Sequence, residues 1–465
     1  MKRRSWILLI AAFAVANFVV FLAPRGRKDI VTDTSRVVVR LTAELGQSWS
    51  EYNIVLISID TLRADHMGCY GYVGNTTPNI DRLAEKSLLF ENAYSQAPDT
   101  IPALRSIMTG CIISNKDRGD IISYYHNATF LAEILGKEGY LTAGFTDHHG
   151  LGDKNEDAYI LSKGFESFQN FGTSRSEVTS HTLTENVINW LDQNCKNRLF
   201  LWVHYFDPHY NYNPLAEYEG LFGFEEKSCE RVYNGIDIRK IRKIEKDLTK
   251  EEIECLVSLH RAEIFYTDEH IGKILDRVKE LNLEENTVIV ITADHGEEFR
   301  ERTRIGHRLT VYNELIHVPL IIKIPKQKPN RIKATIGTKE IFNVLSNLVS
   351  NRSVELNDED IVSRTYLYFK GGKTKPNYFT IVSEDCKYIC NPTTGREELY
   401  DLKIDPGEKT NLAEKFSARK QKRRLKHKLL SWIDKNNVKV NEPSKEALES
   451  EEELNKRLRS LGYVR

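Results

Sequence analysis

The 465-residue chain has no excess of charge of either sign, since 66 Lys and Arg stand against 66 Asp and Glu. It therefore lacks the basic field that holds a polyanion, which argues against a nucleic-acid partner. Cysteine is sparse. The seven (Cys69, Cys111, Cys195, Cys229, Cys255, Cys386 and Cys390) show no zinc-ribbon spacing. Cys386 and Cys390 are close enough in sequence to bridge around a turn, and the odd total leaves at least one thiol free. Internal repeats and low-complexity tracts are also missing, which excludes solenoid and fibrous architectures. A hydrophobic content of 40% with 28% charged residues belongs to a folded globular enzyme rather than a disordered chain. The length calls for one large domain plus a smaller one, or for two domains.

Long apolar runs are absent with one exception. Trp6 to Pro24 carries no charge, follows Lys2-Arg3-Arg4 and precedes Arg25, Arg27 and Lys28. About 18 residues at ~1.5 Å each reach ~27 Å, just enough for a ~30 Å hydrocarbon core. A cleaved signal peptide competes, because Ala14-Val15-Ala16 resembles a small-x-small site. The apolar run continues beyond it through Phe18 to Leu22. Residues 1–24 are therefore expected to be an uncleaved membrane anchor with the body outside the cytoplasm, secretion being the alternative. Residues 25–50 read as a polar tether with an amphipathic piece from Val37 to Leu45. The sequons at Asn75, Asn127 and Asn351 permit glycosylation, although such triplets also arise by chance.

Two short stretches organise the rest. Asn53 to Ile59 is almost wholly apolar, without polar alternation, and ends in Asp60 and Thr61. Thr287 to Ala293 has the same form and ends in Asp294-His295-Gly296. Such runs are strands buried on both faces, as parallel sheets require, so the fold class is α/β. Ligands of open α/β sheets gather at the carboxyl ends of the strands, and two acids delivered to one edge make a metal site. The competing reading is a pair of surface acids capping helices.

Pro78 to Lys86 has helical spacing, and Ser87 to Tyr94 reads as a strand. From Thr100 a second helix begins, with Pro102 in its first turn, Leu104, Ile107 and Met108 on one face, and Gly110 as its stop. Thr100 thus stands at a helix N-terminus, where partial positive charge favours an alkoxide or an anion. Taken alone, a threonine there is more often a cap. Asp207-Pro208-His209 follows an apolar strand ending at the same sheet edge. His209 is accordingly the first candidate for protonating a leaving oxygen, and His307 the second, with Arg308 as a possible oxyanion clamp. For each histidine the bland alternative is a hydrogen-bonded structural residue. Two carboxylates, an imidazole and a hydroxyl (Asp60, Asp294, His295 and Thr100) suit calcium, zinc or manganese.

Beyond Pro325 the pattern changes. Thr338 to Leu348 reads as a helix, while Tyr366 to Phe369, Tyr378 to Glu384 and Lys387 to Ile389 read as successive strands. A small C-terminal α+β subdomain over 331–415 is expected. Residues 416–436 form a basic helix, more often a solvated face than a binding surface. Leu448 to Leu461 forms a charged amphipathic one.

Several blocks together resemble the sulfatase family of the alkaline phosphatase superfamily. They are Ile57 to Gly71, Thr77 to Ala84, Asp207-Pro208-His209, Tyr266-Thr267-Asp268, Asp294-His295-Gly296-Glu297 and the closing set Glu398 to Leu402, Asp405 to Glu408 and Thr410-Asn411-Leu412. They occur in the family's order over roughly residues 50–415. The resemblance implies a three-layer sandwich around a mostly parallel sheet, with 51–330 as the catalytic domain. It places Asp60, Asp294 and His295 on metal-ligand positions. Thr61 falls where many members carry a second metal acid, and Thr100 falls on the nucleophile of the Cys-x-Pro-Ser-Arg signature.

The departures carry information. Sulfatases convert a Cys or Ser at that position into formylglycine, and a threonine cannot become that aldehyde, so formylglycine is not expected. The signature's arginine is Leu104 here, with Arg105 one place on. The family's Gly-Lys-Trp-His block is Thr146-Asp147-His148-His149. It keeps the histidine position at His149 but puts an acid where an anion-binding lysine belongs. Asp147 either serves a second cation or has left the substrate. The expectation is a metal-dependent hydrolase of sulfate or phosphate esters acting through Thr100, with phosphorus favoured. Its substrate would be a small-molecule, glycan or lipid ester. A membrane-surface phospho-headgroup transferase and a catalytically silent binding protein are the alternatives.

Overall fold

A computed structural model describes residues 51–112, 127–151, 160–172, 179–223, 229–233, 235–302, 304–365, 378–436 and 438, with the backbone of 32–33, 36–37 and 39–41. Eight strands form the central sheet: β1 (Asn53–Ile59), β2 (Leu88–Tyr94), β3 (Leu141–Thr146), β4 (Ser167–Asn170), β5 (Leu199–Tyr205), β6 (Thr287–Ala293), β7 (Leu320–Lys323) and β8 (Asn330–Gly337). Their spatial order is β8-β2-β7-β6-β1-β5-β3-β4. Strand β7 alone of the eight runs antiparallel to its neighbours, β6 and β2. Every residue of β1, β5 and β6 is buried, as strands covered on both faces must be. β1 and β6 are parallel neighbours with Ile59 opposite Ala293, so Asp60 and Asp294 leave the sheet side by side.

Helices cover both faces. On one side Leu56, Trp202 and Val290 pack with Leu104 and Ile107 of α2 (Thr100–Thr109), Leu131 of α3 (Leu131–Lys137) and Ile341 of α6 (Glu340–Val349). On the other, Ile57, Val203 and Ile291 meet Ile80 of α1 (Pro78–Ala84), Leu183 of α4 (Ser180–Asn194) and Ile271 of α5 (Lys250–Glu280). The start of α5 is fixed by a capping box: Thr249 Oγ1 accepts from the Glu252 N–H, and Glu252 answers the Thr249 N–H. This is the three-layer arrangement.

The domain boundary at 330 needs correction. Strand β8 pairs parallel with β2 as the edge of the central sheet, and α6 packs on α2, so the catalytic layer extends beyond residue 350. The tether also changes character, because the backbone of 39–41 pairs antiparallel with Val354–Leu356. The smaller subdomain begins at residue 361. Its antiparallel sheet is β9 (Ile361–Arg364), β10 (Phe379–Ser383), β11 (Cys386–Asn391) and β12 (Arg396–Asp401), covered by α7 (Arg419–Lys435). Among the described residues no helix is long and apolar enough to cross a membrane. The expected anchor at 1–24, the strand at Tyr366 to Phe369 and the helix at Leu448 to Leu461 lie outside those residues.

The basic helix is held by its charges as well as by Leu425, Leu429 and Ile433. Lys422 and Lys426 both reach Glu397, Arg424 reaches Glu384, and Lys428 reaches Asp360. Burial pushes the Glu397 carboxyl upward, but the two lysines and the Tyr388 hydroxyl outweigh it and bring it down to about 2. A depressed carboxylate contributes stability that is present above its unfolded value and lost as pH falls through its folded one. Acidification from about pH 4.5 to about 2 is therefore expected to loosen α7 from the sheet. Hydrogen exchange in α7 against pH, with Glu397→Gln flattening that part of the curve, is the measurement.

Cysteine pairing differs from the sequence-based expectation. Cys386 and Cys390 lie on one strand, β11, and four residues at ~3.3 Å separate them by ~13 Å, too far to bridge. Instead Cys229 and Cys255, 26 positions apart in sequence, form a disulfide with Cα atoms 5.8 Å apart. It ties residue 229 to the first turns of α5. Cys255→Ser is expected to lower unfolding free energy by about 2–4 kcal/mol in non-reducing denaturant titrations.

Candidate active site

Asp60 follows β1 and its N–H donates to the Tyr205 carbonyl (2.8 Å), so β1 and β5 together fix where the acid points. Thr61 then turns the chain at φ 54°. That turn sends its hydroxyl to the Pro208 carbonyl (2.8 Å) and its N–H to Asp294 Oδ1 (3.3 Å). The Thr61 hydroxyl proton is thus spent on Pro208, and the residue touches Asp294 through its backbone N–H.

Asp60, Asp294 and His295 are fully buried and converge. His295 Nε2 lies 3.7 Å from Asp60 Oδ1 and 3.5 Å from Asp294 Oδ2. Asp60 Oδ1 and Asp294 Oδ2 have no hydrogen-bond partner, which is costly for buried carboxylate oxygens. Burial, then Asp294 and Glu297, drive the Asp60 carboxyl well up, and burial brings Asp294 to about 8. Burial pushes His295 down to about 3. Neutral imidazole and crowded, unsatisfied carboxylates are the donor set of a divalent cation, which would reverse both carboxyl shifts.

Thr100 is the first residue of α2 rather than its cap; Asp99 precedes it in extended geometry. Its Oγ1 lies 3.2 Å from His295 Nε2 and 3.4 Å from Asp60 Oδ2. The hydroxyl therefore points into the acid cluster and not back at the helix.

The histidines divide by tautomer. His295 donates Nδ1–H to the Gly296 carbonyl (2.9 Å), leaving a lone pair on Nε2. His148 accepts the Gly150 N–H at Nδ1 (2.9 Å), so its Nε2 carries the hydrogen and faces Asp60 Oδ2 at 3.6 Å. His204 offers a ligand atom within 4.8 Å of those of Asp60 and Asp294. Its Nδ1, however, meets Ser58 Oγ (2.9 Å), and that oxygen already accepts from the Trp202 indole (3.0 Å). Ser58 Oγ keeps a second lone pair as well as its own proton, so either tautomer of His204 satisfies it, and His204 Nε2 faces Asp60 Oδ2 at 4.0 Å. His148 thus turns a hydrogen toward Asp60 and His295 carries a lone pair, while His204 stands beside both acids with its Nε2 unpartnered. The imidazole beside Asp60 is that of His148. His149, which the family block indicated, stacks on His148 and meets Phe206 at a tilt, both at 5.1 Å between ring centroids.

His209 and His307 stand 5.0 Å apart between ring centroids, and His307 stands 4.3 Å from His295. His307 Nδ1 bonds Glu297 Oε1 (3.0 Å), and Glu297 Oε2 accepts from the Tyr212 hydroxyl (3.0 Å). The second nitrogen of His307 has no partner, so it can serve as a proton carrier facing the cluster. Burial, then His295 and His209, hold it well below the ordinary histidine value. His209 Nδ1 pairs with the Tyr210 carbonyl.

Arg308 Nε pairs with Asp99 Oδ1 at 2.9 Å. Arg105 is buried, but five residues beyond Thr100 it lies about 140° further around α2, off the nucleophile's face. Leu104, about 40° around, takes that face. Asp147 is buried and its charge acts against Asp207, whose oxygens accept the Thr179 and Ser180 N–H groups at the start of α4 (both 2.9 Å). Asp147 is thus part of a buried acid pair on the α4 side.

Scaffolding reaches the site from far along the chain. Glu408, fully buried, pairs with buried Lys387 (2.8 Å) and accepts the Asn313 N–H. Asn313 opens the one-turn helix Asn313–Ile316, whose Leu315 carbonyl takes the Gly296 N–H (2.8 Å). A Cβ on Gly296 would meet the Glu314 carbonyl oxygen at 2.2 Å, so only glycine fits beside His295.

Comparison with known proteins agrees with this architecture. The sulfatase family model matches residues 52–350, and the chain belongs to that family. Human iduronate 2-sulfatase is 26% identical over 338 residues, covering 59% of this chain and 60% of that protein. The chain thus matches about three fifths of the length of the iduronate 2-sulfatases. An ulvan-active sulfatase of Formosa agariphila is 25% identical over 80% of this chain and 79% of its own length. Among solved structures, a phosphonate monoester hydrolase of Agrobacterium radiobacter superposes with a TM-score of 0.64 at 18% identity, covering 83% of this chain and 96% of that one.

The residues that the sequence reading missed are His148 and His204 beside Asp60, Glu297 as the partner of His307, and Asp99. Glu297 had a signal in the Asp-His-Gly-Glu block, and His148 stood in the Thr146 to His149 block beside the position chosen. His204 and Asp99 had none.

Proposed function

We propose that the protein is a metal-dependent ester hydrolase in which the Thr100 oxygen attacks the central atom of a phosphate or phosphonate ester. The observation that carries this reading is the Thr100 hydroxyl turned onto Asp60 and His295 instead of its own helix. Asp60, Asp294 and His295 would hold the cation, which supplies charge neutralisation at the ester oxygens and lowers the pKa of a hydroxyl beside it. Thr100 oxygen bonds to phosphorus as the ester bond to the alcohol breaks. The proton given up by the Thr100 hydroxyl passes to His209 or His307 and from there to the departing oxygen, and His307 is kept in one tautomer by Glu297. Water then cleaves the Thr100 ester and restores the hydroxyl.

Phosphorus is favoured because threonine lacks the route through a hydrated aldehyde, and the Agrobacterium phosphonate monoester hydrolase shares the fold. The iduronate and ulvan-active sulfatases support the sulfate alternative. The disulfide fits an oxidising compartment and hence an extracytoplasmic body. Assaying the purified chain against an aryl sulfate, a phosphate monoester and a phosphodiester, with metal analysis of the same sample, tests the proposal. Turnover of the aryl sulfate alone would overturn the phosphorus preference, and turnover of none with no bound metal would overturn the enzyme.

A further inference from the structure

We infer that Asp99 makes the site selective for singly charged esters by neutralising Arg308, an inference that rests on the hydrolase reading above. Asp99 immediately precedes Thr100, and Arg308 immediately follows His307. Their ion pair of 2.9 Å therefore joins the residue before the proposed nucleophile to the residue after a proposed acid. Arg308 is held with φ 84°, a left-handed backbone that a non-glycine residue adopts only under restraint. Both charges act on Asp60, in opposite directions.

The charges around Thr100 can be summed. Asp60 and Asp294 would offset a dication, and Arg308 and Asp99 cancel. Arg105 is turned off the nucleophile's face, Leu104 brings no charge, and Asp147 faces Asp207. Glu297, which also acts on Asp60, has Arg242 and Arg63 set against it, so among these described residues no net positive charge is left to compensate a second negative charge on a substrate. A phosphodiester, a phosphonate monoester or a sulfate monoester carries one such charge, whereas a phosphate monoester carries nearly two at neutral pH. In a dry site one uncompensated charge separates the two classes strongly.

The test uses the full chain with its cation and three substrates sharing one leaving group: 4-nitrophenyl sulfate, bis(4-nitrophenyl) phosphate and 4-nitrophenyl phosphate. The natural enzyme is expected to favour the singly charged esters. Asp99→Asn is expected to raise kcat/KM for the phosphate monoester relative to the diester by at least ~10-fold, chiefly through KM. Adding Arg308→Gln to that variant should erase the gain. Calorimetric binding of phenyl phosphate and phenyl sulfate gives a readout independent of turnover: Asp99→Asn should tighten the former and not the latter. An equal loss on all substrates, an unchanged ratio, or a gain that survives removal of Arg308 would overturn the inference. Absence of turnover in every variant, with the binding shift intact, would overturn the hydrolase reading and leave the charge filter standing.

Discussion

Replacing Thr100 with alanine is expected to lower turnover by at least ~10⁴-fold, the order seen when an enzyme loses its nucleophile. Fold and cation affinity should remain largely intact. Thr100 is 1% exposed, yet its hydroxyl makes no bond that holds α2 together. Alanine is also a better helix former than threonine, which offsets part of the lost packing. Thr100→Ser keeps an oxygen at the same position and should retain much of the rate. Acid quench during turnover, followed by mass analysis of the peptide containing residue 100, should find the substrate's phosphoryl group on Thr100. Full activity in the alanine variant would remove the covalent route altogether.

Asp294→Asn should produce the second large effect, with opposite signs in two measurements. Asp294 and Asp60 are buried neighbours with one unsatisfied oxygen each. In metal-free protein the amide should relieve this like-charge crowding and raise the melting temperature. A cation at 100 times its Kd stabilises a native state by about 2.7 kcal/mol. That increment should appear in the natural protein on adding the preferred metal and vanish in Asp294→Asn, together with turnover. Thermal scans with and without chelator decide it. A variant that still gains stability from the metal would place the ion elsewhere.

Much of the fold was legible because its centre is repetitive in physical terms. Asn53–Ile59 and Thr287–Ala293 are uniformly apolar because both faces are covered, and each ends in an acid. The domain limit failed at Asn330–Gly337 for the complementary reason. An edge strand has polar residues on its outer rim, so Asn330, Arg331 and Lys333 read as the end of a domain. At the site, residues next to a sheet-edge acid could be found, and residues that act through a partner could not. His204 lies inside a buried strand, where nothing in the sequence separates it from a core histidine. Asp99 acquires meaning only when Arg308, more than two hundred positions later, folds against it. The Cys229–Cys255 bond was hidden similarly, since no motif marks the loop it closes.

The chain of contacts from Glu408 through Asn313 and Leu315 to Gly296 has a diagnostic consequence. A lesion at Glu408, remote from any reacting atom, would surface first as poor ion retention at His295. A mutational screen scored on activity alone would then assign the closing motif to the chemistry, although its office is that of a keystone.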